Sequence, residues 1–207
     1  MRLLAITDIH GNVRTLSRAM NAAGGVDAIL VLGDVAISRA TIAKVYRALA
    51  TSEVPVFVIH GNHEDEDAAR EQAREHGLCF VHGAIESLGS LSIIGYGGDG
   101  FSTERDDLDA FTATLPEDLA QRSIVMTHAP PEGSVLDDLE GDHVGDRSVR
   151  RLIERVRPLL ALSGHIHEHF HDGGTIGDTI IANPGDTGTL ITITETQQGF
   201  AVSLKRL

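Results

Sequence analysis

Cysteine is nearly missing from this sequence of 207 residues, since Cys79 is the only one. A disulfide bond within the chain is therefore excluded. Cys79 lies in the apolar run Leu78-Cys79-Phe80-Val81, which predicts a strand. We expect it to pack as a small buried hydrophobic side chain rather than to act in redox chemistry or catalysis.

Long apolar runs are absent as well. No stretch approaches the roughly 18 residues that a membrane-spanning helix needs. The first residues of the sequence also lack the apolar segment of a secretory signal. These two absences predict a cytoplasmic protein without a membrane partner.

Positive charge is scarce in this chain. It has 17 Lys and Arg residues against 30 Asp and Glu, for a formal net charge of −13, and only Lys44 and Lys205 are lysines. An acidic surface of this kind repels the phosphate backbone of nucleic acids. Bulk nucleic acid is therefore excluded as a partner, whereas a small molecule bound in a local site is not.

The order of apolar segments predicts the fold class. No linker or internal repeat is visible, so we expect a single domain over residues 1–207. Short aliphatic runs alternate with amphipathic segments of helix length through the first two thirds, which indicates β-α-β units. The strands predicted there are 3–7, 28–32, 56–60, 91–96, 123–127 and 159–163. The last third predicts antiparallel strands at 179–182, 189–194 and 200–204.

Helices are predicted where apolar residues recur three or four positions apart. One such set is Ile42, Val45, Tyr46 and Leu49, and the other is Val149, Leu152, Ile153 and Val156. Pro158 is expected to stop the second helix. The segment 97–122, rich in Gly, Asp and Thr, is expected to pass over the functional site and to include a helix near 108–120.

Side chains of the types that can bind metals follow five of the predicted strands. They are Asp8, His10, Asp34, Asn62, His63, His128, His165 and His167. The carboxyl ends of parallel strands lie together in an open α/β sheet, so we expect these side chains to converge on one crevice. Imidazole, carboxylate and amide ligands without thiolate suit Mn, Fe, Zn, Ni or Co, and so much imidazole disfavours Mg.

Each short motif also has an ordinary structural explanation. An Asp after a strand often accepts backbone hydrogen bonds. The histidines of Gly164-His165-Ile166-His167 would also suit a solvated strand end. The complete set, in order at successive strand ends, argues against such coincidence, and we therefore predict a metal site.

The same motifs resemble those of a known enzyme family, the calcineurin-like metallophosphoesterases. The matching segments are Asp8-x-His10, Gly33-Asp34, Gly61-Asn62-His63-Glu64, Thr127-His128 and Gly164-His165-x-His167. Within the family, the segments 127–131, 143–145 and 183–185, together with Arg150, are similar to small prokaryotic phosphoesterases related to cyclic-nucleotide phosphodiesterases of the Icc type. The motifs span nearly the whole chain.

The resemblance implies both a fold and a ligand set. The fold would be α/β, an α+β sandwich with four layers in the order α-β-β-α and two mixed sheets. Two divalent metal ions are implied, with Mn the expected metal and Fe, Zn, Ni or Co as alternatives. The first ion would be held by Asp8, His10, Asp34 and His167. The second would be held by Asp34, Asn62, His128 and His165, so that Asp34 bridges the two.

The expected activity is hydrolysis of a phosphate ester by a hydroxide that bridges the two metals. By resemblance, His63 is the catalytic residue that faces the leaving oxygen and donates a proton or hydrogen bond to it. His143 is a candidate for binding substrate, and Arg150 either contacts phosphate or is solvated.

Three functions stay open at this point. A phosphodiesterase acting on a small substrate, nucleotides included, is the first. A phosphomonoesterase is the nearest alternative, and a non-catalytic binding or scaffold module of the same fold is a further one. The sequence does not assign an oligomeric state.

Overall fold

A computed structural model describes residues 1–100, 102–197 and 199–207 of the chain. The helices and strands, in chain order, are β1 (Arg2–Ile6), α1 (Val13–Ala23), β2 (Ala28–Leu32), α2 (Arg39–Leu49), β3 (Val56–Ile59), α3 (Glu66–Glu75), β4 (Cys79–Phe80), β5 (Ala84–Leu88), β6 (Leu91–Tyr96), α4 (Asp106–Thr114), β7 (Ser123–Thr127), β8 (Asp138–Leu139), β9 (Asp142–His143), α5 (Arg147–Val156), β10 (Leu160–Leu162), β11 (Gly173–Ile176), β12 (Thr179–Ala182), β13 (Thr189–Thr196) and β14 (Gly199–Arg206). Two 3-10 turns lie at Glu117–Leu119 and His167–His169.

Two six-stranded sheets contain most of the strands. The first has the order β14-β13-β1-β2-β3-β4. Strands β1 to β4 pair in parallel, whereas β13 pairs antiparallel with both of its neighbours, β1 and β14. The second has the order β11-β12-β10-β7-β6-β5 and is parallel from β12 to β6, with antiparallel strands at both edges. The predicted α/β class with two mixed sheets is confirmed.

Alternate side chains of the central strands face different apolar layers. On β1, Leu3 and Ala5 join the cluster between the two sheets, which also contains Ile124 of β7. Leu4 and Ile6 instead join the cluster beneath α1 and α2. A third cluster lies between the second sheet and the helices α4 and α5. Strands that are buried on both faces have continuous apolar sequences, and the layers follow the order α-β-β-α that was predicted.

Helix α5 has a side-chain cap at its first turn and ends just before Pro158, the residue predicted to stop it. The side chain of Asp146 accepts hydrogen bonds from the backbone N–H groups of Ser148 and Val149, at 2.6 and 3.2 Å, and so caps the first turn. The helix ends at Val156, and the capping residue Arg157 has a left-handed backbone with φ 51°. Pro158 follows and prevents another turn.

The helix expected over 108–120 is shorter than predicted. It ends at Thr114, and a separate 3-10 turn follows at Glu117–Leu119. Leu115 has extended backbone with ψ 140°, because it precedes Pro116. A proline disfavours the helical conformation of the residue before it.

The expectation of a wholly antiparallel last third is wrong for one strand. β12 pairs parallel with β10, with Leu160 opposite Ile180. The reason is the hairpin of β11 and β12, in which β11 reverses the chain and β12 then returns in the direction of β10. β13 and β14 are antiparallel as expected.

Two further sequence expectations concern Cys79 and membranes. Cys79 lies in a strand, as predicted, and packs against the cluster between the sheets, but it is half-buried rather than fully buried. Across the described ranges, no helix combines the length and the apolar character that crossing a membrane requires.

Candidate metal centre

The predicted metal-binding side chains meet where five strands end. Asp8 and His10 follow β1, Asp34 follows β2, Asn62 follows β3, His128 follows β7, and His165 and His167 follow β10. The strands β1, β2 and β3 belong to the first sheet, whereas β7 and β10 belong to the second. The site therefore lies where the carboxyl ends of strands from both sheets meet. An open sheet, as expected from the sequence, would have placed it at the carboxyl ends of one sheet.

Asp8, His10 and His167 form the first cluster. Their potential ligand atoms all lie within 4.8 Å of one another. His167 Nε2 is 3.3 Å from Asp8 Oδ1 and 3.4 Å from His10 Nε2. The other oxygen of Asp8 accepts hydrogen bonds from Thr7 Oγ1, at 2.7 Å, and from the backbone N–H of His165, at 3.0 Å.

Asp34, His128 and His165 form the second cluster, with the same 4.8 Å limit between their ligand atoms. His128 Nε2 lies 3.4 Å from Asp34 Oδ2 and 2.9 Å from Asn62 Oδ1. All seven predicted ligands thus belong to two adjoining clusters or contact them. The bridging role of Asp34 stays a prediction.

Four of these residues have unusual backbone conformations. Asp8, His10, Asp34 and His165 have φ values of 52°, 46°, 50° and 68°. A residue with a side chain in this left-handed region costs about 1–2 kcal/mol relative to ordinary conformations. Such strain collects at functional sites, where the surrounding fold imposes it, and here it directs side chains of different loops toward one space.

Two glycines of the motifs allow the loops to approach closely. A Cβ atom on Gly61 would lie 2.0 Å from Asp34 Oδ1. A Cβ atom on Gly164 would lie 2.0 Å from Thr7 Oγ1 and 2.6 Å from Asp8 Oδ2. Any larger residue at either position would displace a carboxylate of the site.

Glu64 joins two of the ligand loops, a role that the sequence analysis did not assign. Its buried carboxylate accepts hydrogen bonds from the backbone N–H groups of Asp34, Ala36 and Gly61, at 2.9, 2.9 and 2.6 Å. Burial raises the pKa of Glu64, and the N–H donors oppose that effect. The only sequence signal for this role was its place directly after Asn62 and His63.

The hydrogen bonds of His128 show that a cation fits the second cluster. Its Nδ1 must donate to the carbonyl oxygen of Leu32, at 2.9 Å, because a carbonyl oxygen only accepts. Nε2 therefore directs its lone pair toward Asn62 Oδ1 and Asp34 Oδ2, which are also acceptors. A proton or a metal ion between these three atoms would pair with all of them.

The pKa values of the second cluster also favour a positive charge between His128 and Asp34. Burial alone would lower the pKa of His128, but the hydrogen bond and charge of Asp34 raise it to about 9. Burial alone would raise the pKa of Asp34, yet the same interaction lowers it to about 2. Burial, together with the positive charge of His128, lowers the pKa of His165 to about 4. The His165 ring is therefore neutral at physiological pH, as a metal ligand must be.

Two clefts open beside the metal centre. The first, of about 280 Å³ and here called the Glu168 cleft, is lined by His10, Asp34, Asn62, His63, His165, Ile166, His167 and Glu168. The second, of about 550 Å³ and here called the Asp99 cleft, is lined by His60, Gly61, Asn62, His63, Glu64, Gly98 and Asp99. Asn62 and His63 line both, so the two clefts meet at the centre.

His63 lies beside the clusters without belonging to either. Its side chain is 46% exposed, and its Nε2 is 3.7 Å from Asp34 Oδ2. The backbone N–H of His63 donates to Asp34 Oδ1, at 3.0 Å. A partly exposed imidazole next to the ligands is available to a molecule that occupies the clefts.

His143 and Arg150 are not brought into the clefts. His143 lies on the β8–β9 hairpin, and its Nδ1 is 2.9 Å from the buried carboxylate of Asp137. The side chain of Arg150 binds Glu154 and the carbonyl oxygens of residues 132 and 133. The hairpin does contact the 3-10 turn that begins at His167, since His169 Nε2 donates to the carbonyl oxygen of Asp138, at 2.6 Å.

Comparison with known proteins agrees with this geometry. The family described as calcineurin-like phosphoesterase matches residues 1–169. No curated protein sequence matches the chain. A protein of Thermus thermophilus has a similar structure, with a TM-score of 0.73 and 17% identity over 98% of this chain and 97% of that one.

Two enzymes are also similar in structure. The phosphopantetheinyl hydrolase of Mycobacterium tuberculosis has a TM-score of 0.70 and 13% identity over 88% of each chain. A dimetal phosphatase from Danio rerio has a TM-score of 0.65 and 11% identity over 99% of this chain and 95% of that one. At these identities the likeness concerns the fold.

The family match covers most of the chain, which therefore belongs to the calcineurin-like phosphoesterases. The protein is a metal-dependent hydrolase of phosphoesters, and the predicted family is confirmed. This family uses a centre of two divalent metal ions, and the two clusters provide residues for such a centre.

Proposed function

We propose that this chain hydrolyses phosphodiesters. The observation that supports this choice is the pair of clefts that meet at Asn62 and His63. The phosphorus of a diester carries two ester groups, and each needs space on its own side of the metal centre. A monoester carries one such group and would leave one cleft unused.

In this proposal Asp8, His10, Asp34 and His167 hold one metal ion, and Asp34, Asn62, His128 and His165 hold the other. The bound ions, with Mn the proposed metal, supply an activated water and positive charge for the phosphate oxygens. The hydrogen bond from His128 to Leu32 keeps the ligand nitrogen of that ring directed at the centre. Glu64 fixes the backbone on which Asp34 is mounted.

His63 is proposed to act on the leaving group. Its exposed ring lines both clefts, and it donates a proton or a hydrogen bond to the ester oxygen as the P–O bond breaks. Asp34 Oδ2, at 3.7 Å, orients the ring electrostatically. Removal of a positioned proton donor typically lowers a rate by about 10²–10⁴-fold.

Two variants separate the proposed roles. We expect His63→Ala and Asp34→Ala both to lose most of their activity, but only Asp34→Ala to lose metal. Elemental analysis of the purified proteins, with turnover measured on the same samples, checks this. His76→Ala, at the end of α3 and outside both clefts, is the control for loss of a histidine. Equal metal loss in the His63 and Asp34 variants would contradict the division of roles.

Substrate preference decides between the diester proposal and its alternatives. The Mn-loaded protein is assayed side by side with bis-p-nitrophenyl phosphate, p-nitrophenyl phosphate and cyclic nucleotides. A higher kcat/KM on the diesters supports the proposal, and a higher value on the monoester favours a phosphomonoesterase. Hydrolysis of none of them would favour a binding or scaffold module. A substrate contact by His143, a cytoplasmic location and the exclusion of bulk nucleic acid stay predictions from the sequence.

A further inference from the structure

The two clefts are acidic away from the metal centre. Of the described residues that line them, none is an arginine or a lysine. Each cleft instead has a carboxylate that belongs to neither predicted ligand set and is at least partly exposed: Glu168 in one and Asp99 in the other. Apart from the histidines, the described ionisable side chains that line the two clefts are therefore all carboxylates.

Asp99 is fixed in place by its own loop. It has a left-handed backbone with φ 40°. Its carboxylate accepts hydrogen bonds from the backbone N–H of Ser102, at 3.1 Å, and from the hydroxyl of Ser102. Gly98, the residue before it, donates its N–H to the carbonyl oxygen of His60, at 2.8 Å. The negative charge of Asp99 is thus a built feature of the cleft wall.

Arg105 is bonded to the wall of the Asp99 cleft, but its positive charge is paired with Asp107 and is not among the described groups that line the cleft. Arg105 donates to the carbonyl oxygens of Gly97 and Gly98, at 3.2 Å each, and its guanidinium lies 4.9 Å from the centre of the Tyr96 ring. Its side chain is only 11% exposed and is paired with Asp107, at 3.4 Å. Arg105 therefore supports the wall of the Asp99 cleft without lining it.

This distribution discriminates between ester groups by charge. In the diesterase function proposed above, a phosphodiester monoanion would place its single charge at the metal centre, and its two ester groups would extend along the clefts. A second phosphate on either ester group would lie beside Glu168 or Asp99, with no arginine or lysine among the described lining residues to pair with it. An ammonium group or an uncharged sugar would not be repelled.

We propose that Asp99 and Glu168 determine specificity: they favour phosphodiesters whose ester groups are neutral or cationic and disfavour those that carry a further phosphate. This proposal rests on the diesterase function proposed above. The substrate class is then choline-like or nucleoside diesters rather than diesters of nucleotides with additional phosphates.

Three chromogenic diesters with a common p-nitrophenolate group test the proposal. They are the p-nitrophenyl ester of thymidine 5′-monophosphate, the same ester with an added 3′-phosphate, and p-nitrophenyl phosphorylcholine. The Mn-loaded full chain is expected to give a lower kcat/KM on the 3′-phosphorylated ester than on the plain thymidine ester. Because exposed charges are screened by salt, this difference should shrink as NaCl is raised from 0.05 M to 1 M, from a Debye length of about 14 Å to about 3 Å.

Asp99→Asn and Glu168→Gln provide the decisive comparison. Asparagine keeps an acceptor for Ser102 and tolerates the left-handed backbone, so the loop is preserved. We expect at least one variant to raise the ratio of kcat/KM for the 3′-phosphorylated ester over the plain ester by about threefold to tenfold. The ratio for the choline ester over the plain ester should fall in the same variant. Asp178→Asn, which removes an exposed carboxylate outside both clefts, should change neither ratio.

Two negative results are distinguishable. If the plain thymidine ester is hydrolysed but both ratios stay at the wild-type values in both cleft variants, the charge proposal is wrong and the diesterase proposal stands. If the protein hydrolyses p-nitrophenyl phosphate but none of the three diesters, the diesterase function fails, and the specificity built on it fails too.

Discussion

At the scale of single residues, the side chains of the proposed metal centre are held in place by atoms outside the proposed ligand sets. The carbonyl oxygen of Leu32 orients His128, and Thr7 and the N–H of His165 hold one oxygen of Asp8. These contacts fix the ligands before any ion binds, which keeps the ordering entropy of metal binding small.

Glu64 gives the sharpest residue-scale prediction. Glu64→Gln replaces one of two acceptor oxygens by an NH2 group, which would face a backbone N–H that now lacks a partner. We expect the free energy of unfolding to fall by about 1–3 kcal/mol and metal affinity to fall with it. Urea denaturation and a Mn titration followed by calorimetry measure the two effects.

The control for Glu64 is Glu71→Gln. Glu71 is 45% exposed and pairs with Arg39 at the surface, so its loss should change stability by less than about 1 kcal/mol and leave metal affinity unchanged. A Glu64 variant that behaved like this control would show that the carboxylate does not hold the ligand loops.

The residue scale also shows what the sequence could and could not predict about the site. The convergence of Asp8, His128 and the other proposed ligands was predictable because ligand chemistry requires particular side chains at strand ends. The role of Glu64 in joining the loops was not predictable. Glu64 accepts hydrogen bonds from the backbone N–H groups of Asp34 and Gly61, and every residue except proline has such a group, so the sequence of the partner residues gives no signal for the contact. The separation of His143 from both clefts was equally invisible, since it depends on where the β8–β9 hairpin folds.

At the scale of elements, α5 offers a prediction at the residue that caps its C-terminal end. Arg157 has φ 51° and an exposed side chain. Its backbone N–H donates to the carbonyl oxygen of Ile153, at 2.8 Å, and its carbonyl oxygen accepts hydrogen bonds from Gln121. Arg157→Gly should remove the strain of the left-handed backbone and raise the free energy of unfolding by roughly 0.5–1 kcal/mol, after the greater flexibility of glycine in the unfolded chain is subtracted. The midpoint of guanidinium unfolding measures it.

Arg157→Ala is the matched variant for that prediction. It removes the same side chain but keeps a Cβ atom in the left-handed conformation, so no comparable gain is expected. An equal gain in both variants would assign the effect to the lost arginine side chain instead of the backbone.

Full burial made two strands predictable with their observed bounds. β2 and β7 are buried at every position, and their predicted bounds are those observed. β5 is mostly exposed and lacks an apolar pattern, while β11 begins with Gly173 and Gly174, which indicate a turn, so neither was predicted. Their pairing comes from neighbours distant in sequence, and tertiary contacts there outweigh local preference.

At the scale of the whole molecule, metal binding should stabilise the fold because each cluster takes ligands from both sheets. Ions present at about a hundredfold over their Kd add about 2.7 kcal/mol per site. For a chain of this size that corresponds to roughly 2–4 °C in Tm per kcal/mol. We therefore expect treatment with EDTA to lower Tm by about 10–20 °C and added Mn to restore it, as measured by calorimetry.

Asp34→Asn serves as the comparison for the metal effect. It keeps the size of the side chain but removes a charge that the proposed ligand sets share, so its Tm should respond much less to Mn than that of the wild type. A wild-type Tm that is the same with EDTA and with Mn would contradict a stabilising centre.

The division of each cluster between distant parts of the chain also orders events during synthesis. Asp8 and His10 are synthesised long before His167, the third residue of their cluster. Asp34 is likewise synthesised well before His128 and His165. A nascent chain that ends before β10 therefore lacks at least one proposed ligand of each ion. Under the proposed ligand sets, neither ion has its complete set of ligands until His165 and His167 have been synthesised, so a chain released before that point would lack the complete centre.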